Sequence, residues 1–317
     1  MSEFRKVIGK PGEIIDFETV FEEHPGLRTA VATKRGTTEI VEYDTAVYGN
    51  GLTYHKYCYV YLPYGYDPED KSKRYNVLYY QHGNTCEPSI LSRGGNEPML
   101  DMLFESGEIE PCIIVSTTYY MNPIRDTAER IKSGMVEAGD GFWKALPPYF
   151  YREVVESIIP AVETRYNTYL ESATEEGIKA SRDHRAFSGY SRGGAMTWRM
   201  IHHSFDYFRW YVPISCDVFV DNISKADRTD QNVIDYVTTP IKANPELPFF
   251  IYACNGGQRD IVEMTREMGF LTKEPCFSYG DDPTANNIYF CVSDYYHTDY
   301  LVPYYYWNAL KVLFKGV

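Results

Sequence analysis

No apolar run in this 317-residue sequence approaches the roughly 18 residues a membrane-spanning helix needs. Positive charge is also scarce, with 31 Lys and Arg against 44 Asp and Glu and a net charge of −13. Tracking nucleic acid requires basic patches, and anionic membranes attract polybasic segments. Neither partner is expected. The opening residues Met-Ser-Glu-Phe-Arg-Lys lack an apolar signal region, so the chain reads as intracellular, although a removed signal peptide would leave the same picture. The seven cysteines (58, 86, 112, 216, 254, 276 and 291) form no C-x-x-C pair, and their number is odd. That disfavours both a complete disulfide framework and a zinc cluster, and leaves buried free thiols. Linkers rich in Gly, Ser or Pro, low-complexity tracts and internal repeats are missing too. With 44% hydrophobic and 24% charged residues, the expectation is one domain over 1–317 with an ample core. Residues 1–35 show no clear periodicity and are expected to be an extension packed on it.

What the chain does contain is a series of short apolar runs. Thr38–Tyr43 alternates, and Lys56–Leu62 is rich in aromatic and β-branched residues up to Pro63. Asn76–Tyr80, Pro111–Thr117, His184–Ser188, Arg209–Ile214, Phe249–Ala253 and Ile288–Val292 read as buried strands. Helical stretches fall between them at Pro98–Ser106, Tyr149–Tyr166, Gly194–His203, Gln231–Lys242 and Ile261–Met268, and a last one closes the chain at Pro303–Phe314. Tyr149–Tyr166 carries one apolar stripe, but Pro160 inside it predicts a kink or a split. Buried strands alternating with helices predict an α/β fold with a mostly parallel central sheet flanked by helices on both faces.

The strongest local signal is Gly189-Tyr190-Ser191-Arg192-Gly193, a G-x-S-x-G pattern where the strand His184–Ser188 hands over to a helix. That is the setting of a nucleophile elbow in the α/β-hydrolase fold. Side chains at the flanking positions would clash in so sharp a turn, and glycine removes the clash. Ser191 is therefore the candidate nucleophile, and it needs a base oriented by a carboxylate. In this fold the chain order is Ser, then Asp or Glu, then His. His24, His55, His82 and His184 precede the serine. His202 and His203 lie roughly 16 Å down the following helix by helical rise. His297 remains. Asp260, in the loop after Phe249–Ala253, is the candidate acid, with Asp217 and Asp221 as alternatives. The oxyanion hole is expected to use the backbone N–H groups of Arg192 and Asn84, with His82 holding the second loop.

Several stretches carry a family resemblance: Tyr57–Asp67, Tyr75–Gly83, Glu108–Thr117, Ser157–Tyr166, Lys179–Gly193 and Tyr252–Ile261. The most specific is S-R-D-H-R-A-F-S-G-Y-S at 181–191. From about Thr37 to Phe314 the sequence resembles the feruloyl and acetyl-xylan esterases of carbohydrate esterase family 1, relatives of esterase D. The resemblance implies a single α/β-hydrolase domain, a triad of Ser191, Asp260 and His297, no cofactor, and esters on plant-wall xylan as substrates. The sequence departs from the family at Arg192, where Met is usual. It departs again at Asn255–Asp260, where the family has G-T-x-D. Arg192 and Arg259 thus set positive charge beside two candidate positions.

Aromatic residues mark a candidate pocket. Tyr119 and Tyr120 follow a strand at the sheet end where ligands bind, and Tyr296 adjoins His297. Trp143 falls in 121–148, a segment long enough for a lid or pocket wall. Such rings could stack on a phenolic acyl group or a sugar. Hydrolysis of a small-molecule or polysaccharide ester through an acyl-serine is the leading function. Acyl transfer on the same triad and non-catalytic carbohydrate binding are the alternatives, and the oligomeric state is left open.

Overall fold

Alternation at the edge and unbroken apolar runs at the centre sort the strands of the main sheet. The computed structural model describes residues 3–8, 14–24, 26–27, 29, 31–84, 96–120, 149–257 and 260–317. The candidate lid 121–148, with Trp143, lies outside them, as do Cys86 and Arg259. At one edge, β3 (Thr37–Thr45) buries Val41, Tyr43 and Thr45 and turns the intervening residues outward. It pairs antiparallel with β4 (Tyr54–Leu62), which pairs antiparallel with β6 (Ile113–Thr117). From there β6, β5 (Val77–Gln81), β7 (Arg185–Tyr190), β8 (Trp210–Ile214), β9 (Phe250–Gly256) and β10 (Ile288–Ser293) run parallel. Every residue of these six strands is buried, as a sheet covered on both faces requires. The spatial order is β10-β9-β8-β7-β5-β6-β4-β3, and the fold is that of the α/β-hydrolases.

Successive residues of one strand feed opposite cores. Val77 and Tyr79 join the cluster beneath the helices that begin at Phe150 and Arg192. Leu78 and Tyr80 join the cluster covered by α1 (Asn96–Glu105) and the last helix. The expected break near Pro160 takes a specific form. α2 (Phe150–Glu153) passes into a π-helical turn (Val154–Ile158), where the Ile159 N–H donates to the Val154 carbonyl five residues back. Pro160, which has no N–H, then falls in the first turn of α3 (Ile159–Glu163). The run continues as a helix instead of splitting.

Both flanks of that break are pinned by buried charge. Glu153 meets Lys56 at 2.6 Å and accepts the Tyr43 and Tyr48 hydroxyls. Glu163 takes a two-pronged contact from Arg185 at 2.6 and 2.9 Å, plus the Tyr79 hydroxyl. Removing one partner of such a pair typically costs about 3–5 kcal/mol, because the other charge stays buried.

After α4 (Glu175–Ala180) come α5 (Arg192–His203), α6 (Asp230–Ala243), α7 (Val262–Leu271) and α8 (Val302–Leu310). The last helix was expected to reach Phe314, but it ends at Leu310. The chain turns beyond it, with Phe314 at φ 64°. Within residues 1–35, β1 (Glu3–Ile8) and β2 (Ile14–Thr19) form an antiparallel hairpin, an element that the sequence pattern did not single out. The end of β2 and the residue after it lie along the open edge of β10. Thr19 Oγ1 accepts the Val292 N–H at 3.0 Å, and the Val20 N–H donates to the Tyr289 hydroxyl at 2.6 Å. An exposed edge strand is thereby covered. All six described cysteines are free, five of them buried and Cys276 half-buried.

The loop after β8 rests on a buried ionic cluster. Arg228 Nη2 lies 2.5 Å from Asp217 Oδ2 and 3.3 Å from Glu267 Oε1, and the Val218 N–H donates to Glu267 Oε2 at 2.8 Å. Burial, reinforced by the neighbouring Asp217 charge, pushes the Glu267 carboxyl up to about 8. An unfolded Glu titrates near about 4.3, so the folded chain holds this proton more tightly. The stability this contributes is fully present below the unfolded value and disappears as pH rises through about 8. Thermal unfolding should therefore show a Tm contribution that falls between about pH 4.3 and 8 and levels off above that, and a flatter profile in Glu267→Gln. An unchanged slope in that variant would contradict the assignment.

Candidate active site

The order of strands brings the candidate residues to one edge, because β5, β7, β8, β9 and β10 all end there. β7 ends at Tyr190, and Ser191 follows at φ 55° and ψ −115°, a conformation non-glycine residues rarely adopt. Such strain costs on the order of 1–3 kcal/mol and persists only where the surroundings over-determine it. Here the Ser191 N–H donates to the Ile214 carbonyl at 2.8 Å, while its own carbonyl accepts the Ala195 N–H at 3.1 Å.

Two glycines make this turn sterically feasible. A Cβ on Gly189 would lie 2.4 Å from the Gly193 carbonyl carbon, and one on Gly193 would lie 2.0 Å from the Gln81 carbonyl oxygen. Both obstacles are backbone and cannot swing aside. Gly193→Ala is expected to displace the elbow and lower kcat/KM by about 100-fold or more, the scale of a 1 Å misplacement. Steady-state kinetics with a circular-dichroism melt would check it. Wild-type turnover in a stable variant would refute the steric reading.

The candidate base and acid come from the loops after β10 and β9. His297 Nε2 stands 3.1 Å from Ser191 Oγ, and His297 Nδ1 stands 2.7 Å from Asp260 Oδ1. The Asp260 side chain is 1% exposed. Its other oxygen accepts the Ser215 hydroxyl at 2.6 Å and the Gly256 N–H at 2.9 Å. Tyr190 lies alongside the His297 ring, centroids 4.9 Å apart and planes 25° from parallel. Sequence reasoning missed Ser215 and Tyr190. Nothing distinguishes Ser215 locally from any serine after a strand, although Tyr190 adjoins the candidate nucleophile.

The alternatives are occupied elsewhere. Asp217 pairs with Arg228, and Asp221 with Arg199 and His203. His202 and His203 stack on Tyr236 and Tyr151 at the far end of α5, His184 stacks on Tyr169, and His55 contacts Asp44.

Arg192 opens α5 directly after the serine, and the first N–H groups of a helix have no intrahelical acceptor. Its side chain is 2% exposed, so it presents little charge to solvent, and burial pulls its guanidinium down to about 10. Asn84 lies in the exposed turn after β5, the strand beside β7. Tyr119 and Tyr120, expected as stacking faces, are buried instead, against the His82 ring at 4.7 and 4.8 Å. A buried tyrosine seeks a partner for its hydroxyl, and that of Tyr119 finds the Gly83 carbonyl at 3.0 Å. Tyr296, 60% exposed beside His297, keeps an open ring. Among the described residues, no group of three or more His, Cys, Asp or Glu side chains could hold a metal ion, and no helix is long and apolar enough to cross a membrane.

The fold is that of the α/β-hydrolase class, and it sets Ser191, His297 and Asp260 in one hydrogen-bonded series at the strand ends. No family model matches the chain. It is 32% identical over 246 residues to endo-1,4-beta-xylanase Y of Acetivibrio thermocellus, covering 77% of this chain and 20% of that protein. It is 30% identical over 141 residues to an endo-1,4-beta-xylanase/feruloyl esterase of Xylanibacter ruminicola, covering 44% and 16%. The chain thus spans a fifth or less of the curated relatives it matches. Among solved structures, the feruloyl esterase module from Clostridium thermocellum, a serine-to-alanine mutant complexed with sinapinate, superposes with a TM-score of 0.75. Identity there is 26%, over 99% of this chain and 97% of that one. A second structure, a protein designated FAE, gives 0.74 at 27% identity over 99% and 96%.

Proposed function

We propose that the chain is a serine carboxylesterase that cleaves feruloyl or acetyl esters on plant cell-wall xylan. The observation that carries this reading is the hydrogen-bonded series Ser191 Oγ, His297 and Asp260 Oδ1 on a strained elbow. In the reaction, His297 Nε2 takes the Ser191 proton as Oγ attacks the ester carbonyl. The N–H groups of Arg192 and Asn84 receive the oxyanion, and the protonated His297 gives its proton to the departing alcohol. Water repeats the sequence on the acyl-serine. Asp260 fixes the tautomer with Nδ1 protonated and stabilises the imidazolium without taking its proton. The feruloyl group is favoured over acetyl by the relatives named for feruloyl esterase activity and by the open Tyr296 ring beside His297.

The test is turnover of methyl ferulate against a simple acetyl ester. The expected result is a kcat/KM at least about tenfold higher for the ferulate, the scale of one aromatic contact. Turnover of acetyl esters alone would overturn the feruloyl assignment, and inactivity on both would overturn the esterase reading.

A further inference from the structure

The loop that carries Asn84 is fastened from behind by residues with no part in the triad. The Gly83 carbonyl oxygen accepts two hydrogen bonds, from the Tyr119 hydroxyl at 3.0 Å and from His82 Nδ1 at 2.8 Å. A carbonyl can only accept, so His82 carries a hydrogen on Nδ1, and in the neutral ring Nε2 accepts the Thr118 hydroxyl at 2.9 Å. Thr118 is anchored in turn. Its Oγ1 accepts the Tyr120 N–H at 3.2 Å, and its carbonyl accepts the buried Lys56 ammonium at 3.0 Å. His82, Tyr119 and Tyr120 are all at most 3% exposed, their rings packed in mutual contact.

In a trans peptide the C=O and the next N–H point to opposite sides. Two donors that lock the Gly83 carbonyl therefore also set the direction of the Asn84 N–H. The same peptide sits against the elbow, since a Cβ on Gly83 would be 3.4 Å from Ser191 Cβ and 3.3 Å from the Tyr190 carbonyl oxygen. We infer that Tyr119 and His82 are positioning residues of the oxyanion hole, aiming the Asn84 N–H without touching substrate. This rests on the acyl-serine reaction proposed above.

Tyr119→Phe removes one of the two donors and keeps the ring. Loss of a whole oxyanion donor costs about 10²–10³ in kcat, so a misaimed donor should cost about tenfold, with KM within about twofold. A trifluoromethyl ketone, whose adduct with Ser191 bears the oxyanion, should lose affinity by the same factor, while ferulate binds as in the wild type. A structural role alone would leave kcat and ketone affinity unchanged, or would weaken ferulate and ketone equally, and either result overturns the inference. His82→Asn offers an amide donor near the place of Nδ1 and should retain more kcat than His82→Leu. Equal kcat in the two would also overturn it. Turnover that survives Ser191→Ala would instead overturn the acyl-serine reaction itself, whatever Tyr119 does.

Discussion

Ser191→Ala is expected to lower kcat on methyl ferulate by about 10⁴-fold or more while leaving ferulate binding and Tm close to wild type. Removing a catalytic serine eliminates the covalent route altogether, and what survives is the residual catalysis of the oxyanion donors and of binding. The variant keeps the fold because the backbone holds the elbow: the Ser191 N–H to Ile214 and its carbonyl to Ala195 involve no Oγ atom. Alanine at φ 55° is strained as serine is, so no large change in stability should accompany the loss. Single-turnover kinetics with active-site titration would separate true residual turnover from contaminating wild-type enzyme. Turnover within about tenfold of wild type would remove Ser191 from the reaction.

Asp260→Asn should cost about 10³–10⁴ in kcat with little change in KM, for a reason specific to the surroundings of this carboxyl. One carboxylate oxygen accepts from Ser215 and Gly256, and the other accepts from His297. An asparagine has only one acceptor oxygen. If that oxygen serves Ser215 and Gly256, the amide nitrogen faces His297 Nδ1 and donates to it. The imidazole must then carry its hydrogen on Nε2, where it can no longer take the proton of Ser191. The geometry survives and the chemistry stops. The check is kcat and KM of the variant, with a melt to show that the fold is intact. A loss carried by KM, or a kcat within about tenfold of wild type, would count against this role for Asp260.

The sheet was legible because its central strands are buried on both faces and so appear as unbroken apolar runs, and because β3 alternates. The elbow was legible because its glycines are demanded by backbone contacts at Gln81 and Gly193, a requirement that leaves a pattern in the residues themselves. His297 could be reached by elimination, since chain order and helical rise remove the other histidines. Other features depend on contacts between distant parts of the chain. Whether Pro160 splits a helix or follows a π turn is a choice among backbone geometries flanked by buried Glu153 and Glu163, whose partners Lys56 and Arg185 come from other elements. Tyr119 and Tyr120 lie at the expected end of β6, but their direction is set by His82 and Gly83, 36 residues away from Tyr119. The hairpin of β1 and β2 was missed because neither strand alternates cleanly. Ser215 offered no signal, because its importance consists only in facing Asp260.

Ser191 and His297 stand 106 residues apart in the chain. At typical synthesis rates of about 5–20 residues per second, that separation is roughly 5–20 seconds of translation. During that interval Ser191 exists in a chain that has no His297 beside it, and β10, which leads into the loop carrying His297, has not yet docked on β9. On the proposed reaction, a polypeptide that stops before residue 297 lacks the base that serves Ser191. On the proposed reaction, the site is assembled only when β10 docks on β9 and the loop after β10 brings His297 to Ser191.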